Sequence, residues 1–205
     1  MTNEIKTRIL VLFAHPALHK SRVNRVLVKA VRAMEGITFH DLYDAYPDFG
    51  IDVAREQELL VAHDVVVFHH PFFWYSTPAI LKEWQDLVLQ HDWAYGHRGT
   101  ALRGKTLFSV ITTGGREDAY CSEGNNRFTM RELLAPIERT ASLCGMDFLP
   151  PFVAHGTHGM SKEEMSLHAR DYVLLLDAIR KGSFDFETAR TVQRLNKDLQ
   201  GLMRV

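Results

Sequence analysis

Three short segments carry side chains that suit a flat, phosphorylated ligand. The first runs from His15 to Asn24 and includes Ser21, so it offers imidazole, hydroxyl and amide donors. The second, residues 71–75, reads PFFWY, and the third, residues 112–116, reads TTGGR. Donors at a helix start suit a phosphate, aromatic rings can cover a planar heterocycle, and paired glycines allow close backbone approach. Together they predict one site for a planar, phosphate-bearing cofactor.

Each segment also has a simpler interpretation, which the residues alone leave open. Ser21 could serve only as a helix N-cap, and the aromatics could form a core or subunit-contact cluster. Paired glycines occur in many turns, and Tyr120, a few residues further on, could be an ordinary surface tyrosine. The sequence contains no P-loop, no dinucleotide-binding Gly-x-Gly-x-x-Gly and no Gly-x-Ser-x-Gly elbow.

The elements that must position these segments alternate along the chain. Apolar runs predict strands at 8–14, 37–42, 64–70, 105–112 and 146–155, the last one interrupted by Pro150-Pro151. Helical patterns fill 22–34, 52–63, 78–91, 129–145 (with a kink expected at Pro136) and 161–182. Such alternation predicts an α/β doubly wound parallel sheet of five strands in the flavodoxin-like order 2-1-3-4-5. In that order the three segments follow strands one, three and four at one edge of the sheet.

Composition excludes several classes of function. The formal net charge of −1 gives no electrostatic footprint for nucleic acid. Cys121 and Cys144 form no disulfide framework, and the eleven histidines show no spacing with partners that indicates a metal site. The polar opening residues and the absence of a long apolar run predict neither a signal peptide nor a membrane span. We therefore expect a cytoplasmic protein without a bound metal.

The three segments together resemble the flavin-dependent NAD(P)H:quinone oxidoreductases. The motifs are FAHP followed by S-x-x-N, HP-x-x-WYS-x-PA-x-LK-x-W, and ITTGG, and the resemblance covers about residues 8–181. The stretch DLYDAYPDFGIDVAREQELL, at 41–60, is similar to the ancillary proteins of the Kef glutathione-gated potassium efflux systems. The resemblance implies a flavin-binding domain at 1–182. Residues 183–205 have no counterpart in the family, but they follow a Gly-Ser break, and the helical period of Val192, Leu195, Leu199 and Leu202 predicts an added C-terminal helix there. That extension could pack on its own subunit or on a neighbour, or form a partly ordered tail.

The resemblance also implies a cofactor, a site and partners. FMN is expected, with FAD as the alternative, and NAD(P)H and a quinone would be the substrates of a homodimer. A Kef-type potassium/proton antiporter would bring the protein to the cytoplasmic face of the inner membrane. Tyr120 would be catalytic. The implied flavin-binding residues are His15, Ser21, Arg22, Val23 and Asn24 for the phosphate and ribityl chain, Phe72, Phe73, Trp74 and Tyr75 for the ring, and Thr113, Gly114, Gly115 and Arg116 for its polar edge.

Two departures from the family pattern leave the role open. Phe73 replaces a common glutamine, and Asn126 occupies the place of a histidine that assists proton transfer in some members. One hypothesis is a quinone reductase that also serves a Kef-type antiporter. The alternative is a purely regulatory subunit whose reductase activity is lost or vestigial. A one-electron carrier of the flavodoxin type is disfavoured because such carriers are strongly acidic, whereas this chain is near neutral.

Overall fold

The computed structural model describes residues 7–204, and a six-stranded parallel sheet forms its centre. The strands are β1 (Ile9–Phe13), β2 (Ile37–Asp41), β3 (Val65–Pro71), β4 (Thr106–Thr112), β5 (Asp147–Phe148) and β6 (Phe152–Ala154). The order β2-β1-β3-β4-β5 confirms the predicted arrangement. The expected fifth strand is split into β5 and β6, which both pair with β4. The interruption falls at Leu149–Pro151, because proline cannot donate to a strand ladder.

Helices cover both faces of the sheet. They are α1 (Arg22–Arg32), α2 (Leu42–Ala45), α3 (Val53–Ala62), α4 (Ala79–Val88), α5 (Met130–Leu133), α6 (Ala135–Leu143), α7 (Lys162–Lys181) and α8 (Phe186–Thr191). The predicted helix at 129–145 is divided at Leu134, two residues ahead of the expected kink, and Pro136 lies in the first turn of α6. None of the helices between residues 7 and 204 is long and apolar enough to cross a bilayer.

Two apolar cores lie on opposite faces of the central strands. Every residue of β1, β3 and β4 is buried. Alternate residues of β1 point to opposite sides, so that Val11 packs with α1 and α7 whereas Leu12 packs with α4 and α6. Burial on both faces explains why these strands read as continuous apolar runs. It also fixes the three loops that leave their carboxyl ends.

The C-terminal extension, residues 183–204, packs on its own subunit. The added helix is present as α8, but it is short and ends where Val192 adopts an extended conformation. The periodic residues Leu195, Leu199 and Leu202 therefore follow the helix in irregular chain and a short 3-10 turn, yet they are buried in the α1–α7 core. Residues 1–6 and 205, which the expected domains include, lie outside the described residues.

Candidate functional site

The loops after β1, β3 and β4 line one cavity of about 510 Å³ at the carboxyl edge of the sheet. Parallel strands that are adjacent end at the same edge, and ligands of doubly wound folds bind there. The volume is within the range of small-molecule sites. Nine residues of the predicted set line the cavity: His15, Ser21, Arg22, Val23, Asn24, Phe72, Phe73, Thr113 and Gly114.

Ser21 begins helix α1, which confirms its predicted role as an N-cap. Its Oγ accepts hydrogen bonds from the main-chain N–H of Asn24 at 3.2 Å and from Asn24 Nδ2 at 3.0 Å. Because both lone pairs are occupied, the hydroxyl hydrogen remains available to donate. The first-turn amides of α1 have no acceptor within the helix. This corner of the cavity therefore presents a hydroxyl donor, amide donors and the positive end of a helix dipole to an anion.

Asn24 is buried and holds its neighbours rather than facing the cavity with free donors. Besides Ser21, its Nδ2 donates to Thr112 Oγ1 at 2.9 Å, and its Oδ1 lies 3.2 Å from Nε2 of His69. Since the amide oxygen can only accept, His69 donates from Nε2. Burial lowers the pKa of His69 to about 3, so this ring is neutral at physiological pH. Asn24 thus orients the hydroxyls of Ser21 and Thr112 and keeps no N–H of its own for a ligand.

His15 offers a neutral donor at the same corner. Its Nδ1 accepts the main-chain N–H of Ala17 at 3.0 Å, which places the hydrogen of the neutral ring on Nε2. Burial lowers the pKa of His15 and so favours that neutral form. The ring meets Phe73 edge-on, with the centroids 5.9 Å apart. The first and second loops are therefore in direct contact.

The side chain of Arg22 turns away from the predicted phosphate position. Its guanidinium donates to the main-chain oxygens of Met160 at 3.1 Å and His158 at 3.5 Å. It thereby ties the start of α1 to the loop between β6 and α7. Val23 is buried in the core. Both residues can offer a ligand their main-chain N–H groups, which lie in the first turn of α1.

The aromatic loop after β3 contains a tight turn over residues 73–76. The Ser76 N–H donates to the Phe73 carbonyl at 3.0 Å, and both central residues have positive φ, 51° for Trp74 and 63° for Tyr75. Phe72 is buried and Phe73 half-exposed, but Trp74 is 94% exposed and lies outside the cavity. Tyr75 also lies outside, and its hydroxyl donates to Asn126 Oδ1 at 3.1 Å. Two of the four predicted ring contacts therefore face outward in the single subunit.

The glycine loop after β4 is closely packed. A Cβ on Gly114 would stand 2.4 Å from Nε2 of His158, and one on Gly115 would stand 2.9 Å from the hydroxyl of Tyr120. Only glycine fits these positions without displacing the neighbour. Gly114 lines the cavity, whereas Gly115 does not.

Tyr120 reaches the cavity through Thr113. The Tyr120 hydroxyl and Thr113 Oγ1 are 2.5 Å apart, and Thr113 Oγ1 also accepts the Gly115 N–H at 3.3 Å. Tyr120 itself does not line the cavity. Arg116 extends into solvent, with its Nε 3.6 Å from Asp118, and does not line it either.

Six lining residues are not in the predicted set: Ala17, Lys20, Pro71 and Thr112, which lie within the three predicted segments, and Thr157 and His158, which lie outside them. Lys20 directly precedes the N-cap, so its cation could have been read as part of the anion site. Thr157 and His158 follow β6, whose carboxyl end lies at the same edge of the sheet. The fourth loop of that edge could therefore have been included on topology alone.

Comparison with known proteins places this architecture in a family. The profile described as flavodoxin-like fold matches residues 7–175. A glutathione-regulated potassium-efflux system ancillary protein KefG from Pectobacterium carotovorum is 48% identical over 165 residues, which cover 80% of this chain and 90% of the relative. YrkL of Bacillus subtilis, described as an uncharacterized NAD(P)H oxidoreductase, is 44% identical over 83% of this chain and 98% of its own.

Solved structures agree with the sequence relatives. General stress protein 14 of Treponema denticola, in complex with FMN, superposes with a TM-score of 0.80 at 38% identity and covers 84% of this chain and 99% of its own. An NADPH-quinone reductase from P. pentosaceus gives a TM-score of 0.74 at 29% identity over 84% of this chain and 97% of that one. The chain is therefore a member of the flavodoxin-like fold family, with KefG ancillary proteins and NAD(P)H oxidoreductases among its relatives.

Proposed function

We propose that this protein binds FMN in the cavity at the carboxyl edge of the sheet and acts as an NAD(P)H:quinone oxidoreductase. The observation that carries the proposal is the convergence of the three loops on one cavity of about 510 Å³. The FMN complex of a 38% identical relative and the NADPH-quinone reductase named among the solved structures support it. FAD is the alternative cofactor.

The residues present fit a flavin nucleotide. The phosphate would lie at the start of α1, where the Ser21 hydroxyl, the His15 Nε2–H and Lys20 meet the first-turn amides. The ring would lie against Phe72 and Phe73. The main chain at Thr113 and Gly114 would meet its polar edge, because a glycine backbone can approach a ligand closely.

When bound, the flavin would supply two-electron hydride chemistry between NAD(P)H and the acceptor. The protein would position the flavin and polarise it. Phe73, which packs edge-on against His15 and lines the cavity, would cover part of the bound ring. Tyr120, held through its hydroxyl by Thr113, would donate a hydrogen bond to negative charge that develops on an acceptor oxygen.

The first test is the absorption spectrum of the purified protein, with heat release and chromatography of any flavin. We expect visible flavin bands and FMN in the released fraction. The second test is turnover of NADH and NADPH with a soluble quinone, where Tyr120→Phe should lower kcat/KM at least tenfold. A protein that binds no added FMN, or a flavin-loaded protein that oxidises neither nucleotide, would overturn the proposal.

A second role is favoured by the 48% identity to KefG. We propose that the protein also acts as an ancillary subunit of a Kef-type potassium/proton antiporter on the cytoplasmic face of the membrane. The alternative in which reductase activity is vestigial draws on Phe73 and on Asn126, which is engaged by Tyr75. Co-purification with the antiporter and potassium efflux in a deletion strain test the role. Restoration of efflux by Tyr120→Phe would favour the purely regulatory form, whereas efflux that is unchanged by the deletion would exclude the partnership.

The exposed aromatic turn supports a homodimer. Trp74 is 94% exposed, Tyr75 52% and Phe128 54%, and Tyr75 bonds to Asn126, two residues before Phe128. Exposed aromatic residues are typical interface anchors. We expect sedimentation velocity to show a dimer that Trp74→Ser weakens. The exposed Leu167→Ser on α7 is a matched control and should leave the dimer intact. A monomeric wild-type protein at micromolar concentration would contradict this.

A further inference from the structure

A second, smaller pocket of about 190 Å³ lies beside Tyr120, between the loop after β4 and the C-terminal extension. The extension contributes Gln193, Arg194 and Lys197 to one wall. These residues follow the stretch 7–175 that matches the family. The remaining lining is Glu117, Tyr120, Thr129, Met130, Arg131, Pro151, Val153 and His155. The extension thus adds one wall to a pocket whose other residues lie in the shared fold.

The lining carries more positive than negative charge. Arg131, Arg194 and Lys197 face a single acid, Glu117, which Arg194 already pairs at 2.8 Å. Arg131 stands 3.5 Å from Glu138, which lies outside the pocket. Lys197 makes no ion pair with any residue between 7 and 204. Among residues 7–204, at least one cation of the pocket therefore has no counter-charge.

The extension holds this wall in a fixed position. The side-chain amide of Asn196 accepts the Val153 N–H at 3.0 Å and donates to the Val153 carbonyl at 2.9 Å. The Leu195 N–H donates to the Pro151 carbonyl at 2.9 Å, and its side chain is buried. Arg194 is anchored by Glu117 on the other side. Arg194 and the main chain that carries Lys197 are therefore held in place before a ligand arrives, which lowers the entropic cost of binding.

The pocket and the larger cavity meet at Tyr120. Tyr120 lines the pocket, and its hydroxyl is 2.5 Å from Oγ1 of Thr113, which lines the cavity. A molecule with its reactive carbonyl at Tyr120 could therefore place a substituent between Arg131 and Lys197. We propose that this cationic pocket binds a carboxylate or phosphate substituent of the electron acceptor and so selects acidic quinones. The proposal rests on the proposed reductase function.

The kinetic test uses two quinones that differ only at the end of a side chain, one with a carboxylate and one with the corresponding amide. The wild-type protein should show the lower KM for the carboxylate. Lys197→Gln should raise that KM about three- to fivefold, as loss of a partly exposed charge pair does, and leave the KM for the amide unchanged. The matched control is Lys29→Gln on the exposed side of α1, which should alter neither value.

Several results would overturn the assignment. One is an equal KM for the two quinones in the wild-type protein. Another is a rise in KM with Lys197→Gln that is the same for both quinones. A third is an effect of Lys197→Gln only on the preference between NADPH and NADH. A binding measurement separates the pocket from the reaction. Calorimetric titration with an aryl carboxylate, and with its amide, needs no turnover. Carboxylate binding that Lys197→Gln and Arg131→Gln weaken supports the pocket even if no quinone is reduced, and equal affinity for the amide refutes it.

Discussion

A single hydroxyl group at Ser21 combines a structural and a binding role. It accepts two hydrogen bonds from Asn24, which fixes the start of α1, and it retains a hydrogen for the cavity. Ser161 caps α7 with the same main-chain geometry, accepting the Glu164 N–H at 3.1 Å, but it does not line the cavity. The two serines allow the capping role to be separated from the binding role.

We expect Ser21→Ala to lower the free energy of unfolding by about 1 kcal/mol, as loss of an N-cap does, and to weaken FMN binding about tenfold. Ser161→Ala should cause a similar loss of stability with unchanged FMN affinity. Urea unfolding and flavin fluorescence titration measure the two quantities. Equal FMN affinity of wild type and Ser21→Ala would show that the phosphate does not lie at α1.

Residue types predicted the position of the cavity better than they predicted individual contacts. Ser21 could be identified because an N-cap preference is local. The bonds of Asn24 to Thr112 and His69, and of Arg22 to Met160, join residues far apart in sequence, so no local pattern reveals them. For the same reason the sequence could not show that both side chains use their donors within the protein.

Among the elements, the turn at 73–76 departs most from ordinary backbone preferences. A hairpin turn with positive φ at both central positions favours Asn-Gly, and bulky aromatics there cost of order 1–3 kcal/mol each. The turn nevertheless carries Trp74 and Tyr75. The aromatic residue types predicted contact with the flavin ring, because aromatic side chains in a loop favour a flat partner. The sequence did not reveal the positive φ that turns Trp74 and Tyr75 outward.

The double exchange Trp74→Asn with Tyr75→Gly should raise the free energy of unfolding by about 1 kcal/mol, because it relieves the positive φ. It should also weaken the dimer and lower quinone turnover. Asp92→Gly is the control, since Asp92 has φ of 63° outside both this turn and the Asn126–Phe128 segment. It should leave turnover unchanged. A double variant that is less stable than wild type in urea would contradict stored strain at the turn.

The C-terminal extension is an integral part of the folded core. The helical period correctly predicted that its apolar residues are buried. The helix itself, however, is α8, which Asp185 caps and which ends at Val192, before most of those residues. The leucines that follow are nevertheless buried, because the chain returns to the sheet edge at Pro151. The sequence pattern alone could not distinguish burial on one face of a helix from burial in the irregular chain that follows a shorter helix.

Leu195→Ala should therefore destabilise the protein by about 2–5 kcal/mol, as removal of a fully buried leucine side chain does. Leu167→Ala, at an exposed position on α7, should change stability by less than about 0.5 kcal/mol. Chemical denaturation with a common probe measures both. A loss below about 0.5 kcal/mol at Leu195 would mean that the extension is only loosely attached.

At the scale of the whole molecule, buried histidines set how stability depends on pH. His69 and His70 are fully buried, and burial lowers the pKa of His69 to about 3 and that of His70 to about 4. Both stand near 6.5 in an unfolded chain. Between these values the unfolded chain binds protons that the folded protein does not, so stability falls as the pH falls below about 6.5.

We expect the contribution of His69 and His70 to the free energy of unfolding to be nearly constant above about pH 7. Between about pH 6 and pH 4.5 they should together remove at most about 2.7 kcal/mol per pH unit, because each proton taken up only by the unfolded chain contributes about 1.36 kcal/mol. His70→Gln should roughly halve that contribution, whereas His97→Gln, an exposed residue, should leave the slope unchanged. Urea unfolding across this pH range provides the slopes. Identical slopes for wild type and His70→Gln would contradict a neutral, buried imidazole.

The side-chain amide of Asn196 bonds to both main-chain groups of Val153 as a neighbouring strand would. β6 is the border of the sheet on that side, and an open border invites pairing with other polypeptides. Asn196 and Leu195 bond to that border from a segment of the same chain. We therefore expect the segment to protect the border from pairing with other chains. Shortening the protein at Gly182 would leave the border open, so such a fragment should form amyloid-like aggregates at concentrations where the intact chain stays dispersed.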